Sequence, residues 1–303
     1  ALVAEHTQHS PGTMGAKLLV AKNHDPVGTI GGGIMEYKLV KQAGDILERD
    51  NYTPEIQTLI HRKSGPGEKS GMICAGKQTN LYYLCHPEKD GETVERIKHN
   101  LENDQSATLT ISPSSMLVKK QKPDVNKPQI KLSVRENGWL YEEQLLNFKR
   151  IAIIGGGHCS LALSRVMKNL GYGVFVYETR ENVFTITENR YTRSVQIVDD
   201  YRDAASLINY PELTNVVVMT TDVDSDVQGL LGLIDLPSPF IGVMGSQAKI
   251  AEILRRLKSE GISEDQLSHL TAPVGTPMTS NTPEEIAISV AAQILQKRIQ
   301  PTN

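Results

Sequence analysis

Aromatic side chains are scarce in this chain of 303 residues: phenylalanine, tyrosine and tryptophan together make up 5% of it, with a single tryptophan. The cores must therefore be built mainly from aliphatic side chains. No uninterrupted apolar stretch approaches the roughly 20 residues that cross a bilayer, which argues against a membrane-spanning protein. An excess of one charge is missing as well, since 32 Lys and Arg face 35 Asp and Glu. A nucleic-acid-binding protein usually has a basic face, so this balance argues against that class.

Cysteine is also rare, and the three examples are Cys74, Cys85 and Cys159. They are too few for a disulfide scaffold, and no zinc-type spacing joins them to histidines. We therefore predict a reducing, cytoplasmic compartment. The first residues lack the charged start and apolar run of a signal peptide, so none is expected.

Length and local composition predict two domains. About 100–200 residues form a typical domain, so this chain is long enough for two. Residues 119–147 begin with closely spaced lysines and prolines, which disfavour helices and central strands. We predict a linker there, between an N-terminal domain over residues 1–118 and a C-terminal domain over residues 148–303. The first is predicted to be a mixed α+β domain, with one amphipathic helix over Ile34–Arg49.

The C-terminal part alternates short apolar runs with amphipathic segments, which is typical of a parallel sheet covered by helices. Strands are predicted at residues 151–154, 174–177, 195–198, 216–219 and 240–244. Ser246 is placed to cap a helix that follows it, and Thr282 with Glu285 forms a capping box for the last helix. The pattern predicts a Rossmann-like, doubly wound parallel sheet.

A glycine loop joins the first of these strands to its helix. Gly155 and Gly157 occupy the first two places of the dinucleotide fingerprint, and Ser160 occupies the third. Glu178 ends the next strand, 23 residues after Gly155 (178 − 155), near the ~20 expected for the acid that binds a ribose hydroxyl. The loop is predicted to bind NAD, NADP or another phosphate-bearing cofactor, with glycines used only for packing as the alternative. Arg180 either pairs with a 2′-phosphate or is a surface charge.

A second glycine loop lies in the N-terminal domain. Gly31, Gly32 and Gly33 directly precede the predicted Ile34–Arg49 helix, and Glu36 lies in its first turn. Three consecutive glycines indicate unusual backbone angles or close approach of a ligand, so the loop is a candidate anion cradle. Glu36 either stabilises the helix start through the dipole or binds another part of a ligand, such as a pterin N–H.

Cys74 lies at a junction between a strand and a glycine turn, within Gly71–Gly76. A thiolate there could bind a soft metal such as molybdenum or accept a sulfur atom. The alternative is an inert, packed thiol. His158 and Cys159 lie in the loop of the C-terminal domain, where a helix start can make such groups reactive, although packing is the simpler role.

Taken together, these segments resemble the XdhC/CoxI family, accessory proteins for molybdenum hydroxylases such as xanthine dehydrogenase. The similarity runs over nearly the whole chain. It is carried by an ordered set of motifs: Gly28–Glu36, Gly71–Gly76, Gly155–His158, Phe240–Ser246 with Lys249, Ala272–Gly275 and Thr282–Ala287. The sequence departs from the family pattern at Ala75, Ser160 and Thr221.

The resemblance implies a chaperone for molybdenum cofactor without turnover of its own. Such a protein takes up the cofactor, supports its sulfuration with a cysteine desulfurase and passes it to an apo molybdenum hydroxylase. Cys74 would be the contact to molybdenum or sulfur. The residues predicted to bind cofactor are Gly31, Gly32, Gly33, Glu36, Cys74, Gly155, Gly157, His158, Glu178, Gly245 and Ser246.

The residues leave two alternative functions and one question of assembly open. An NAD(P)-dependent oxidoreductase is one alternative, although no recognisable acid/base pair follows the fingerprint. A nucleotide-sensing regulatory module is the other. A homodimer is a further expectation, because the apolar stripe Ile286, Val290 and Ile294 of the last helix suits either a core or a dimer face.

Overall fold

The computed structural model describes residues 1–7, 10, 12–49, 52–61, 76–279 and 282–297. The chain forms two compact units, unit 1 over Ala1–Leu146 and unit 2 over Asn147–Asn303.

Unit 1 combines short strands with two long helices. In chain order its elements are β1 (Leu2–His6), β2 (Leu18–Leu19), β3 (Val27–Gly28), α1 (Gly33–Arg49), β4 (Glu55–His61), β5 (Gly76–Tyr82), α2 (Pro87–Glu102), β6 (Ala107–Ile111), β7 (Met116–Lys120), β8 (Ile130–Arg135) and β9 (Gly138–Leu145).

Within the described residues of unit 1, two antiparallel sheets carry the fold. One has the order β1-β5-β4 and the other β7-β6-β9-β8, and β2 pairs with β3 in a small ribbon. Helix α1 turns Met35 and Leu39 into a core with Val3, Ile30 and Tyr82. A second core lies between the two sheets. This arrangement fixes the β3–α1 junction, which holds the first glycine loop, against strand β5.

The structure differs from the expected linker over residues 119–147. Strands β8 and β9 occupy about half of it and hydrogen-bond into the four-stranded sheet of unit 1. Pro123 and Pro128 lie in the loop before β8, and the exposed Lys119, Lys120 and Lys131 lie on the edge strands β7 and β8. Lysines and nearby prolines are common at sheet edges, where they discourage pairing with other chains. The composition of this stretch therefore resembles that of a linker, although the stretch belongs to the sheet. The boundary between the two units lies at Leu146.

Unit 2 alternates strands and helices as predicted. Its elements are β10 (Arg150–Ile154), α3 (His158–Asn169), β11 (Gly173–Glu178), α4 (Phe184–Thr187), β12 (Ser194–Ile197), α5 (Ala204–Leu207), β13 (Thr214–Val218), α6 (Val223–Leu233), β14 (Ile241–Val243), α7 (Gln247–Ser259), α8 (Glu264–Ser268), β15 (Leu270–Thr271) and α9 (Pro283–Lys297).

The strands of unit 2 form a parallel sheet in the order β12-β11-β10-β13-β14-β15. Alternate residues of β10 enter different cores: Ile151 and Ile153 pack with α3 and α9, while Ala152 and Ile154 pack with α6 and α7. Both faces are therefore covered, which confirms the doubly wound sheet. The chain order reverses between β10 and β13, and ligands of such sheets bind at the carboxyl ends of the strands beside that point.

The last helix resolves one of the open alternatives. Val290 and Ile294 are buried in the core of unit 2, and Ile286 packs against it. This stripe is therefore core and not a dimer face. Among the described residues, no helix is both long enough and apolar enough to cross a membrane.

Candidate functional site

The glycine loop of unit 1 folds around a carboxylate of its own helix. Gly31, Gly32 and Gly33 all have positive φ angles, which suit glycine. The loop amides thereby turn toward Glu36, whose Oε2 accepts hydrogen bonds from the Ile30 N–H at 2.9 Å and the Gly32 N–H at 3.0 Å. The anion that the cradle was predicted to hold is, in part, the chain's own glutamate.

A third donor to Glu36 is the Thr29 hydroxyl, 2.6 Å from Oε2. This hydrogen bond, followed by those from Ile30 and Gly32, holds the pKa of Glu36 below its ordinary value. Glu36 is therefore ionised at neutral pH. Its other oxygen, Oε1, has no hydrogen-bond partner among the described residues, and the side chain is only partly buried.

Behind this loop lies Gln78, a buried residue that sequence reasoning missed. Its Oε1 accepts from the Ser10 hydroxyl and the Gly12 N–H, both at 2.9 Å. Its Nε2 donates to the Ile30 carbonyl at 2.9 Å and to Asn80 Oδ1 at 2.8 Å. One amide thus ties the segment before β2 to the glycine loop and holds the loop in place.

Cys74 and its neighbours Gly71–Ala75 lie outside the described residues, so the predicted contact to molybdenum or sulfur stays a prediction. Strand β5 starts directly afterwards, at Gly76, where a turn was expected. The two other cysteines show no sign of activation, because burial raises the pKa of Cys85 and of Cys159. Among the described residues, no three His, Cys, Asp or Glu side chains converge as metal ligands do.

The glycine loop of unit 2 joins β10 to α3 and has a closed and an open side. Gly155 has a φ of 105°, and a Cβ there would lie 2.7 Å from the Met219 carbonyl oxygen. A Cβ on Gly156 would lie 2.6 Å from the Ile186 side chain. Gly157 differs, since a Cβ there would meet no described atom within 4 Å.

The open side coincides with the start of α3. The first amide to bond back within the helix is that of Leu161, which donates to the Gly157 carbonyl at 3.0 Å. The N–H groups of Gly157, His158 and Cys159 have no acceptor in the described part of the chain. Free amides at a helix start favour an anion such as phosphate.

The closed side is formed by Glu178, at the predicted position at the end of β11. This side chain is fully buried. Its Oε2 accepts from the Gly156 N–H and from Arg180 Nη2, both at 2.8 Å. Its Oε1 accepts from Arg180 Nε at 2.9 Å and the Tyr201 hydroxyl at 2.7 Å. The backbone N–H groups of Thr179 and Arg180 also reach Oε1, at 2.8 and 3.1 Å.

These donors decide the ionisation of Glu178. Burial alone would raise its pKa, but the hydrogen bonds from Arg180, Tyr201 and Gly156 outweigh it and hold the pKa at about 2. Arg180, which sequence analysis considered for a 2′-phosphate, is engaged with this carboxylate. Tyr201, 23 residues further along the chain (201 − 178), was missed.

Gly245 and Ser246 follow β14 at the same edge of the sheet. The Ser246 hydroxyl caps α7 as predicted, accepting from the Lys249 N–H at 3.3 Å. Lys249 Nζ lies 2.5 Å from Asp226 Oδ2, and Oδ1 of this buried carboxylate accepts from the Thr220 hydroxyl at 2.6 Å. Thr220 in turn packs against Gly155. A buried ion pair therefore links the Gly245–Ser246 turn to the glycine loop.

Sequence reasoning also missed Asp226, whose pKa is raised by burial. Lys249 was named with the Phe240–Ser246 motif, but no partner was predicted for its side chain. His158 is exposed at the first position of α3, beside the free amides. Of the predicted residues in unit 2, the structure thus brings Gly155, Gly157, His158 and Glu178 to one loop.

Comparison with known proteins assigns the family. The model of the XdhC Rossmann domain matches residues 151–294, and the model of the XdhC and CoxI family matches residues 1–58. The chain belongs to the XdhC and CoxI family. The two matches fall on unit 2 and on the part of unit 1 that holds Glu36.

Two relatives extend this finding. An uncharacterised Escherichia coli protein, YqeB, is 29% identical over 149 residues, which are 48% of this chain and 27% of YqeB. The chain thus spans about a quarter of that relative. A Bacillus halodurans structure described as a xanthine dehydrogenase shares the fold, with a TM-score of 0.68 and 22% identity over 100% of this chain and 92% of that one.

Proposed function

We propose that this chain is an accessory protein that binds molybdenum cofactor, supports its sulfuration and delivers it to an apo molybdenum hydroxylase of the xanthine dehydrogenase type. Membership of the XdhC and CoxI family supports this role. The name of the Bacillus halodurans protein, xanthine dehydrogenase, points to the same system. A cysteine desulfurase as a partner and a homodimer remain predictions.

The observation that carries the proposal is the state of Glu36. All three hydrogen bonds that it accepts go to Oε2, which leaves Oε1 as an acceptor without a partner among the described residues. Its lowered pKa keeps it ionised. A pterin offers ring and amino N–H donors, which a fixed carboxylate binds through strong, charge-assisted hydrogen bonds. A Cβ on Gly32 would meet no described atom within 4 Å, so the loop leaves room beside the carboxylate.

Unit 2, taken by itself, offers groups suited to the phosphate of the cofactor. The free N–H groups of Gly157, His158 and Cys159 suit a phosphate, which gains from the amides and from the dipole of α3. The near balance of charge in the sequence agrees with an anion held by backbone groups. Each unit, considered separately, thus has groups that suit part of the cofactor.

Retention of cofactor tests the proposal. Purified protein is incubated with molybdenum cofactor and passed through gel filtration, and molybdenum and pterin are measured in the protein peak. We expect the wild type to retain both and Glu36→Gln to lower retention about tenfold, which corresponds to about 1.4 kcal/mol. The glutamine still accepts hydrogen bonds from the loop, so the fold is kept.

The matched control is Glu48→Gln, on the exposed side of the same helix, which should retain cofactor like the wild type. Cys74→Ala, with Cys85→Ala as its control, tests the predicted sulfur or molybdenum contact. A wild type that emerges without molybdenum or pterin contradicts the proposed function.

A further inference from the structure

The carboxylate at the end of the second strand decides whether a Rossmann loop accepts a dinucleotide. The ribose hydroxyls of NAD donate hydrogen bonds to this acid, and a 2′-phosphate of NADP needs a free cation close by. In unit 2 these two roles would fall to Glu178 and Arg180. The hydrogen bonds that both side chains already make show what each could still offer to a nucleotide.

Glu178 has no capacity left for a ribose. A carboxylate offers about four lone-pair sites. Here Oε1 accepts from the Thr179 and Arg180 amides, Arg180 Nε and the Tyr201 hydroxyl, and Oε2 accepts from the Gly156 amide and Arg180 Nη2. All six distances are 3.1 Å or shorter. A ribose hydroxyl could bind only by displacing one of these donors, several of which are charged or belong to the backbone.

Arg180 is engaged in the same contact through two of its five N–H donors. Its Nε and Nη2 bind the two oxygens of Glu178 side by side, at 2.9 and 2.8 Å. This forked arrangement is the strong form of an arginine–carboxylate pair. A 2′-phosphate could reach only the remaining N–H groups of Arg180 and would share this cation with a fully buried carboxylate.

The chain after β11 adds a steric barrier. Helix α4 lies over Gly156: the Thr185 hydroxyl donates to the Gly156 carbonyl, and a Cβ on Gly156 would lie 2.6 Å from Ile186. Glu178 and α4 therefore both contact Gly156. The loop stays open only at Gly157.

We propose that Glu178, Arg180 and Tyr201 form a latch that excludes nucleosides from the glycine loop of unit 2. The latch holds Gly156 in place and occupies the acceptor that a ribose requires. Binding of NAD in the usual manner, with its ribose hydroxyls on this carboxylate, is not compatible with the latch. The inference goes beyond the proposed function and does not rest on it.

Titration with NADH and NADPH tests the latch on the full-length chain. Nucleotide fluorescence and melting temperature are followed up to about 1 mM ligand, which covers even weak specific binding. We expect no saturable binding and no rise in melting temperature for the wild type. Without ligand, Arg180→Ala and the milder Tyr201→Phe should melt lower, Tyr201→Phe by about 2–4 °C. Arg190→Ala, at an exposed arginine nearby, should melt like the wild type.

Two results would overturn the proposal. One is wild-type binding of either nucleotide with a Kd below about 100 μM that Glu178→Gln weakens tenfold or more. The other is an unchanged melting temperature in both latch variants. Binding that neither Glu178→Gln nor Arg180→Ala alters does not use this carboxylate and agrees with the latch. Cofactor retention by the same preparations is scored separately, so failure of the latch and failure of the proposed function are distinguishable.

Discussion

The two glycine loops differ in how their glutamates are hydrogen-bonded. Each presents backbone N–H groups: those of Ile30 and Gly32 donate to Glu36 in unit 1, and that of Gly156 donates to Glu178 in unit 2. In unit 2, Glu178 is fully buried and accepts from six donors at 3.1 Å or less. In unit 1, Glu36 is only partly buried and accepts through one oxygen, so Oε1 is left for a ligand.

This difference separates a structural carboxylate from one suited to binding. A buried charge is tolerated only when it is paired and hydrogen-bonded, and once that requirement is met nothing remains for a ligand. A partly exposed carboxylate keeps part of its capacity for solvent or for a donor from outside. A glutamate beside a glycine loop is therefore structural in unit 2 and suited to binding a ligand in unit 1.

The largest expected effect comes from neutralising each glutamate in turn. Glu178→Gln removes the negative charge that pairs with Arg180. It also places an amide N–H group against the N–H and O–H donors that now bind the carboxylate. We expect a loss of about 2–4 kcal/mol in the free energy of unfolding, or about 5–15 °C in melting temperature. Glu36→Gln should lose less than about 1 kcal/mol, because water can replace the lost interactions.

Thermal and urea unfolding followed by circular dichroism measure both variants. Glu181→Gln, at an exposed position three residues after Glu178, is the control for a charge change alone and should behave like the wild type. Equal losses for Glu178→Gln and Glu36→Gln would remove the contrast between the loops.

Alanine at two glycines of unit 2 gives the next largest effect and separates the closed side of the loop from the open side. Gly155→Ala combines a φ of 105° with a Cβ 2.7 Å from the Met219 carbonyl. We expect it to lower the free energy of unfolding by about 2–3 kcal/mol. Gly157→Ala meets neither restriction and should stay within about 0.5 kcal/mol of the wild type. A comparable loss at Gly157, measured by urea unfolding, would mean that this side is not open.

Local signals were enough to predict most of unit 2. Apolar runs, the Ser246 cap and the Thr282–Glu285 capping box are features of short segments, and the last two are formed as expected, with Glu285 Oε2 3.1 Å from the Thr282 N–H. Residues 76–80 carry no such local signal for a strand. Gln78 and Asn80 are polar and follow a glycine, which is typical of a turn, yet both are buried in β5. The Gln78 side chain binds Ser10, Gly12 and Ile30, which lie in distant segments that composition does not reveal.

The candidate site shows the same limit. Spacing along the chain located Glu178 at the end of β11, and the glycine pattern located the loop. The role of Glu178 depends on Tyr201, which reaches it from beyond β12, and on the direction in which Arg180 turns. Neither contact has a periodic or local signature. A fingerprint in the sequence therefore identifies a Rossmann loop without showing whether its acceptor is free.

The smallest effect concerns the proton of Glu36. Its pKa lies below the ordinary value chiefly because the Thr29 hydroxyl donates to Oε2 at 2.6 Å. A carboxyl group with a lowered folded-state pKa stabilises the fold above its unfolded pKa of about 4.3, and this contribution is lost as the pH falls through the folded value. Thr29→Val should raise the pKa of Glu36, as measured by NMR titration of its side-chain carboxyl carbon, and leave that of Glu178 at about 2. Thr13→Val, at an exposed threonine of the same unit, should move neither. If the pKa of Glu36 stays unchanged in Thr29→Val, the loop amides alone stabilise its charge. The two loops would then be more alike than their different side-chain donors suggest.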